Sequence, residues 1–194
     1  MSRTSILAVV IVLTSFACSG SPSGPSGPSG PAGTLNLRIT DSPYGSAKAV
    51  LVTFSEVALQ RSGGDWTAVP FAEPSASTWT CDLKKLQNSA QDVLGTGRLA
   101  TGQYTMVRLV VQSARIFFDA SAVSPTPCAQ SIPAPAGASF PLTMASGTAT
   151  VNGTFPMTEN GATTILVDFD GEASISQSGS TYAMTPVVRL VSVQ

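Results

Sequence analysis

Apolar residues alternate with polar ones along most of this chain, and that period of two constrains its fold more than any other feature. In TLNLRIT, Leu35, Leu37 and Ile39 fall on one side and Asn36, Arg38 and Thr40 on the other. Successive side chains of a strand point to opposite faces, so the segment reads as a half-buried strand. AVLVTFSEVALQR continues the theme, with Val50, Val52 and Phe54 on one face and Leu51, Thr53, Ser55, Val57 and Leu59 on the other. DWTAV follows a Ser62-Gly63-Gly64 turn and completes a hairpin signal. QYTMVRLVVQSARIFF is apolar on both faces near its middle, as a central strand is. TATVNGTF, TTILVDFD and TYAMTPVVRLVSV read as further strands, with turns at Asn152-Gly153 and Ser178-Gly179. Residues 82–94 hold at most a short helical turn. Seven to nine strands in about 160 residues make an all-β fold, a Greek-key β-sandwich.

Two connections are long: PFAEPSASTWT at residues 70–80, and a proline-rich segment at residues 120–139. Connections of the second length are functional, mobile or surface insertions.

The first 17 residues read as an export signal. Arg3 supplies the positive start, and Ile6 to Leu13 is an apolar run too short to span a bilayer. Small residues before Cys18 fit two cleavage chemistries. One is plain secretion. The other makes Cys18 a lipidated N-terminus, although Ser15 stands where a lipobox carries leucine. Acyl chains on Cys18 would anchor the protein to a membrane at about 0.8 kcal/mol per buried methylene, and Ser19 after the cysteine would imply sorting to an outer membrane. Residues 18–33 then form a Ser/Gly/Pro tether reaching at most roughly 45 Å, and one folded domain spans residues 34–194.

Composition excludes several functions. The net charge is −1 and the pI near 5.2, so there is no basic footprint for nucleic acid. The chain has no histidine, which removes Ser-His-Asp, Cys-His and histidine-zinc chemistry.

Among candidate sites, LVDFDGE is the densest polar cluster. On a strand Asp168 and Asp170 share a face roughly 7 Å apart, the spacing of an inverting glycosidase pair; but they point the same way rather than flanking a substrate. Asp168, Asp170 and Glu172 are also candidate calcium ligands, although the EF-hand pattern fails. The favoured reading is structural. Arg108 and Arg189 each interrupt an apolar strand within a repeated VRLV, and such arginines need carboxylate partners; Asp168 and Asp170 are the first candidates, Asp41 and Glu56 the next. With Cys18 lipidated, Cys81 and Cys128 remain, and in an exported chain they are expected to form a disulfide worth roughly 4 kcal/mol; two separate buried thiols are the alternative. Trp79, beside Cys81, is the candidate stacking platform for a sugar. Asn152-Gly153-Thr154 matches a glycosylation sequon, expected to be unmodified in a bacterial chain.

The segments ITDSP (39–43), VTFSEVAL (52–59), ATGQYTMVRLVV (100–111), LVDFDGEASI (166–175) and YAMTPVVRL (182–190) resemble the signature segments of a prokaryotic envelope family known as domain of unknown function 4382. The resemblance covers residues 34–193. It implies a transthyretin-like or immunoglobulin-like sandwich, often on a lipoprotein, and no activity. The expectation is therefore a non-enzymatic envelope lipoprotein without a cofactor, whose exposed sandwich is a binding or adhesion module with a carbohydrate or a protein as its candidate ligand. A structural or assembly component is one alternative and a calcium-stabilised carbohydrate-binding module another.

Overall fold

The computed structural model describes residues 28–42 and 44–194; the signal segment, Cys18 and most of the tether lie outside the described residues. Thirteen strands occur among them: β1 (Ala32–Ser42), β2 (Ala49–Arg61), β3 (Trp66–Ala68), β4 (Trp79–Asp82), β5 (Asp92–Ala100), β6 (Gly102–Phe117), β7 (Cys128–Ala129), β8 (Ser139–Thr143), β9 (Thr148–Met157), β10 (Ala162–Asp170), β11 (Ile175–Ser178), β12 (Thr181–Met184) and β13 (Val188–Val193). A 3-10 turn at Leu83–Lys85 and a single helical turn, α1 (Gly171–Ser174), complete the elements.

The strands form two sheets. One has the order β13-β10-β1-β5, and the other runs β11-β12-β8-β6-β2-β4-β7, with β3 also on β2 and β9 also on β6. Neither follows chain order. The apolar stripes of β1 and β10 meet those of β2 and β6: Leu35, Leu37, Ile39, Ile165, Val167 and Phe169 pack with Val50, Val52, Phe54, Val107 and Leu109 in one buried core. Phe54 of the larger sheet meets Phe169 of the smaller edge-on, with ring centroids 5.9 Å apart. The fold is an all-β sandwich.

The strand count exceeds the expected seven to nine because several strands are short or poor in β-branched residues. TYAMTPVVRLVSV is two strands. Pro186 lacks an N–H and cannot donate to a ladder, and the chain crosses there from β12 in the larger sheet to β13 in the smaller. Asn152-Gly153 is not a turn. It lies inside β9, where the register against β6 slips between Tyr104 and Met106. The Ser178-Gly179 turn is present, with Gly179 at φ +60°, a left-handed conformation that glycine adopts without a Cβ penalty.

The proline-rich segment 120–139 is a strap. Ala49 and Leu51 face away from the main core, and with Phe117 they are covered by Ala122 and Ile132. Asp119 Oδ2 accepts from the Ala138 amide at 2.6 Å, which ties the two ends of the strap. In its middle, Cys128 lies opposite Cys81 across β4 and β7, and the two form a disulfide with Cα atoms 4.0 Å apart.

Candidate functional site

The direction of β1 gives the sandwich two distinct poles. At about 3.3 Å per residue its length is about 33 Å. The chain enters at Ala32, beside Asn160, whose amide donates to the Ala32 carbonyl, and beside Thr101, whose amide donates to Pro31. It leaves β1 at Ser42. β10 is parallel to β1, so Asp170 lies beside Ser42, and β5 is antiparallel, so Asp92 lies beside Ile39. The far pole therefore collects the β1–β2 connection, the turn before β5, the start of the strap and α1. The polar chemistry is concentrated there.

Asp41, Asp82 and Asp170 are buried carboxyls at this pole, and the first two organise it. Asp82 ends β4 and caps the 3-10 turn. Its Oδ1 accepts from the backbone amides of Val50 and Lys84, each at 3.1 Å. Burial pushes its carboxyl up, against the pull of those amides and of Lys85 and Lys84. Asp41 is the penultimate residue of β1, and its Oδ1 accepts from the Gly171 amide at 3.0 Å. Burial raises the Asp41 carboxyl to about 8; the Gly171 amide opposes the rise, Asp168 and Asp170 add to it, and Lys84 opposes it. A Cβ on residue 171 would stand 3.0 Å from Asp41 Oδ1, so glycine permits this close approach.

Between Asp82 and the start of the strap is a cleft of about 420 Å³, lined by Gly45, Ala47, Lys48, Asp82, Lys84, Lys85, Gln87 and Ser121. The ladder makes it: Leu51 on β2 pairs with Asp82 on β4, which sets Lys48 beside the Lys84-Lys85 turn. Lys84 Nζ donates to the Tyr44 carbonyl at 3.2 Å and Lys85 Nζ to the Ser124 carbonyl at 2.5 Å.

The residues singled out in the sequence are not brought together as one site. Arg189 faces Asp170, as expected of the aspartates. Arg108 does not pair with either; it sits on the outer face of the larger sheet, where Glu56 and Trp66 receive it. Glu56 reaches it because β2 and β6 are direct neighbours, whereas the aspartates belong to the other sheet. Asp168 Oδ2 accepts from the Ser42 hydroxyl at 3.0 Å, Asp170 Oδ1 from the Ala173 amide at 2.8 Å, and Glu172 Oε2 from the Gly45 amide at 3.3 Å. Each carboxylate thus has a different partner, while Asp168 Oδ1 is buried without one; among the described residues no group of three or more acidic or cysteine side chains is gathered to hold a metal. Trp79 is buried in the core and stacked on Phe71, with centroids 6.3 Å apart. It offers no platform to a sugar. The sequence reasoning missed the lysines. The available signal was that all three lysines of the chain fall within residues 48–85, two of them adjacent.

An all-β sandwich stapled by one disulfide, with a charged cleft at the pole away from its N-terminal connection, is the class of protein described. The model of the family described as "Domain of unknown function (DUF4382)" matches residues 32–186, and the chain belongs to that family. No curated protein and no solved structure matches it.

Proposed function

We propose that the protein is a non-enzymatic binding module of the cell envelope, exported by its first 17 residues and anchored to a membrane through lipid on Cys18. The observation that carries this reading is the polarity of β1. The chain that would bear the anchor joins the sandwich at Ala32, and the loops with the densest polar chemistry lie at the other end of the strand. A domain tethered at one pole presents the opposite one to its surroundings. The disulfide supports export, since such bonds persist in oxidising compartments. The absence of histidine supports a binding rather than a catalytic role.

The test is fractionation of the producing cells with mass spectrometry of the mature N-terminus. Acylated Cys18 in the membrane fraction, and release of the Cys18→Ser variant into the soluble fraction, is the expected result. An unmodified Cys18 on a soluble protein would remove the anchor from the reading. Capture of envelope or extracellular glycans by the folded protein tests the binding role separately.

A further inference from the structure

We propose that the lysine cleft at the far pole binds a phosphate monoester group carried on a polyol or sugar. This rests on the reading of the domain as a binding module, and not on the anchor at Cys18.

Charge is the first argument. The chain has three lysines, Lys48, Lys84 and Lys85, and all three line this one cleft. Among the described residues the two ion pairs are Arg108–Glu56 and Arg189–Asp170, so no lysine is spent on one. The ammonium groups of Lys84 and Lys85 are steadied by neutral carbonyls instead, at Tyr44 and Ser124. These contacts orient the side chains without cancelling their charge. The lining holds one carboxylate, Asp82, which is 1% exposed and spends Oδ1 on two backbone amides. Three ammonium groups against one lining carboxylate leave two positive charges, which Glu172, held on the Gly45 amide at the edge of the cleft, offsets in part. A phosphate monoester carries about −1.5 to −2 at neutral pH.

Shape and neutral lining supply the rest. The cleft holds about 420 Å³, within the range of roughly 300–1,000 Å³ for small-ligand sites, and exceeds what a bare anion needs. Ser121 is exposed at its rim. Gln87 commits its amide nitrogen to the Lys84 carbonyl, so its own carbonyl is left to accept a hydroxyl. Hydroxyl-bearing ligands suit that pair. Lysine is a mobile point charge rather than a rigid fork, so the cleft selects the phosphate by charge and tolerates variation in what carries it. The same group could arrive on a soluble sugar phosphate or on a lipid headgroup.

The experiment uses the full-length chain with Cys18→Ser, which removes self-anchoring. Isothermal titration is run with inorganic phosphate, glucose 6-phosphate, glucose and galacturonate, and co-sedimentation with phosphatidylcholine vesicles with and without phosphatidic acid. Saturable binding of glucose 6-phosphate but not glucose is expected, weakening as salt is raised. Lys84→Gln and Lys85→Gln should each weaken it about tenfold, the loss of one charge-assisted hydrogen bond. Ser121→Glu, which adds a carboxylate at the rim and touches no lysine, should weaken it as well. Vesicle binding that requires phosphatidic acid would support a headgroup source; binding of the soluble ester alone would support a small-molecule source. Failure of every phosphate probe to bind folded protein, equal binding of galacturonate, or binding unchanged in the Lys84→Gln/Lys85→Gln double variant overturns the assignment. If the protein still captures glycans in that event, the binding-module reading stands without this cleft; if it captures nothing, both fall.

Discussion

The Arg108 guanidinium lies 4.3 Å from the centroid of the Trp66 ring while donating to Glu56 Oε1, from Nε at 3.0 Å and from Nη2 at 2.5 Å. One cation thus fastens the short strand β3 and the middle of β2 to the longest strand, β6. The group is half-buried, with side-chain exposures of 27% for Arg108 and 39% for Glu56, so solvent screens the pair. Arg108→Met should cost about 1–2 kcal/mol, or roughly 2–8 °C in melting temperature for a domain of this size. Thermal unfolding of Arg108→Met, Trp66→Leu and the double variant measures the coupling; strictly additive losses would mean that the ring and the cation act independently.

Much of the sandwich was legible because its long strands keep their alternation. Leu35, Leu37 and Ile39 are buried as the period requires. In β2 the alternation misled. Val57 and Leu59 read as facing away from Phe54, yet all three are in the main core, because the register against β6 shifts on both sides of Phe54. Such a bulge reverses which parity faces inward, and nothing in TFSEVAL marks it. β5 was missed because DVLGTGRLA has two glycines that weaken any strand signal. The glycines are there for space: a Cβ at residue 95 would stand 2.8 Å from the Pro70 carbonyl. The clustering of all three lysines within residues 48–85 was visible, but the cleft itself was not, since Lys48 and Lys84 come to line one cleft only after β4 pairs with β2.

The disulfide holds the strap as well as the sheet. Cys128 sits in the middle of segment 120–139, and its amide donates to Asp92 Oδ2 at 2.9 Å. Replacing Cys81 and Cys128 with alanine should cost roughly 4 kcal/mol on the chain-entropy account. Limited proteolysis provides a second readout: cleavage within residues 120–139 should accelerate in the variant and in reduced wild type, and leave the oxidised protein's strap slow to cut. Equal cleavage rates would show that Ala122, Ile132 and the Asp119–Ala138 bond hold the strap unaided.

Asp41 should make stability depend on pH. Its carboxyl is raised from 3.8 to about 8 in the folded protein, so the native state keeps a proton that the unfolded chain releases. Stability from this group is fully present below about pH 4 and is lost as pH rises toward 8. The penalty at pH 8 is on the order of a few kcal/mol, and the raised Asp82 carboxyl acts in the same direction. Asp41→Asn keeps an oxygen for the Gly171 amide and removes the charge. It should melt higher than wild type at pH 8 and close to it at pH 4.5. A variant that melts lower at both pH values would mean that the ionised carboxylate stabilises the fold, through Lys84 or a bound cation.

Asp170 and Asp168 stand two residues apart on β10 and should behave differently. Asp170 has a side-chain exposure of 6% and serves two partners, the Ala173 amide through Oδ1 and Arg189 through Oδ2. It caps α1, where the chain leaves the smaller sheet for β11. Asp170→Ala removes the cap and one partner of a largely buried contact, and should cost about 2–3 kcal/mol. Arg189 is 58% exposed, so water takes over much of its role and Arg189→Ala should cost about 1 kcal/mol. Asp168 accepts from the Ser42 hydroxyl and adds to the negative potential at Asp41. Asp168→Ala therefore loses one hydrogen bond, about 1 kcal/mol, and gains back part of it by relieving Asp41. The expected order of destabilisation is Asp170→Ala, then Arg189→Ala, then Asp168→Ala, measured by thermal and urea unfolding. Millimolar calcium should leave the melting temperatures of wild type and all three variants unchanged. A calcium-dependent rise in wild type that disappears in Asp168→Ala would reassign these carboxylates from holding the chain to holding a metal.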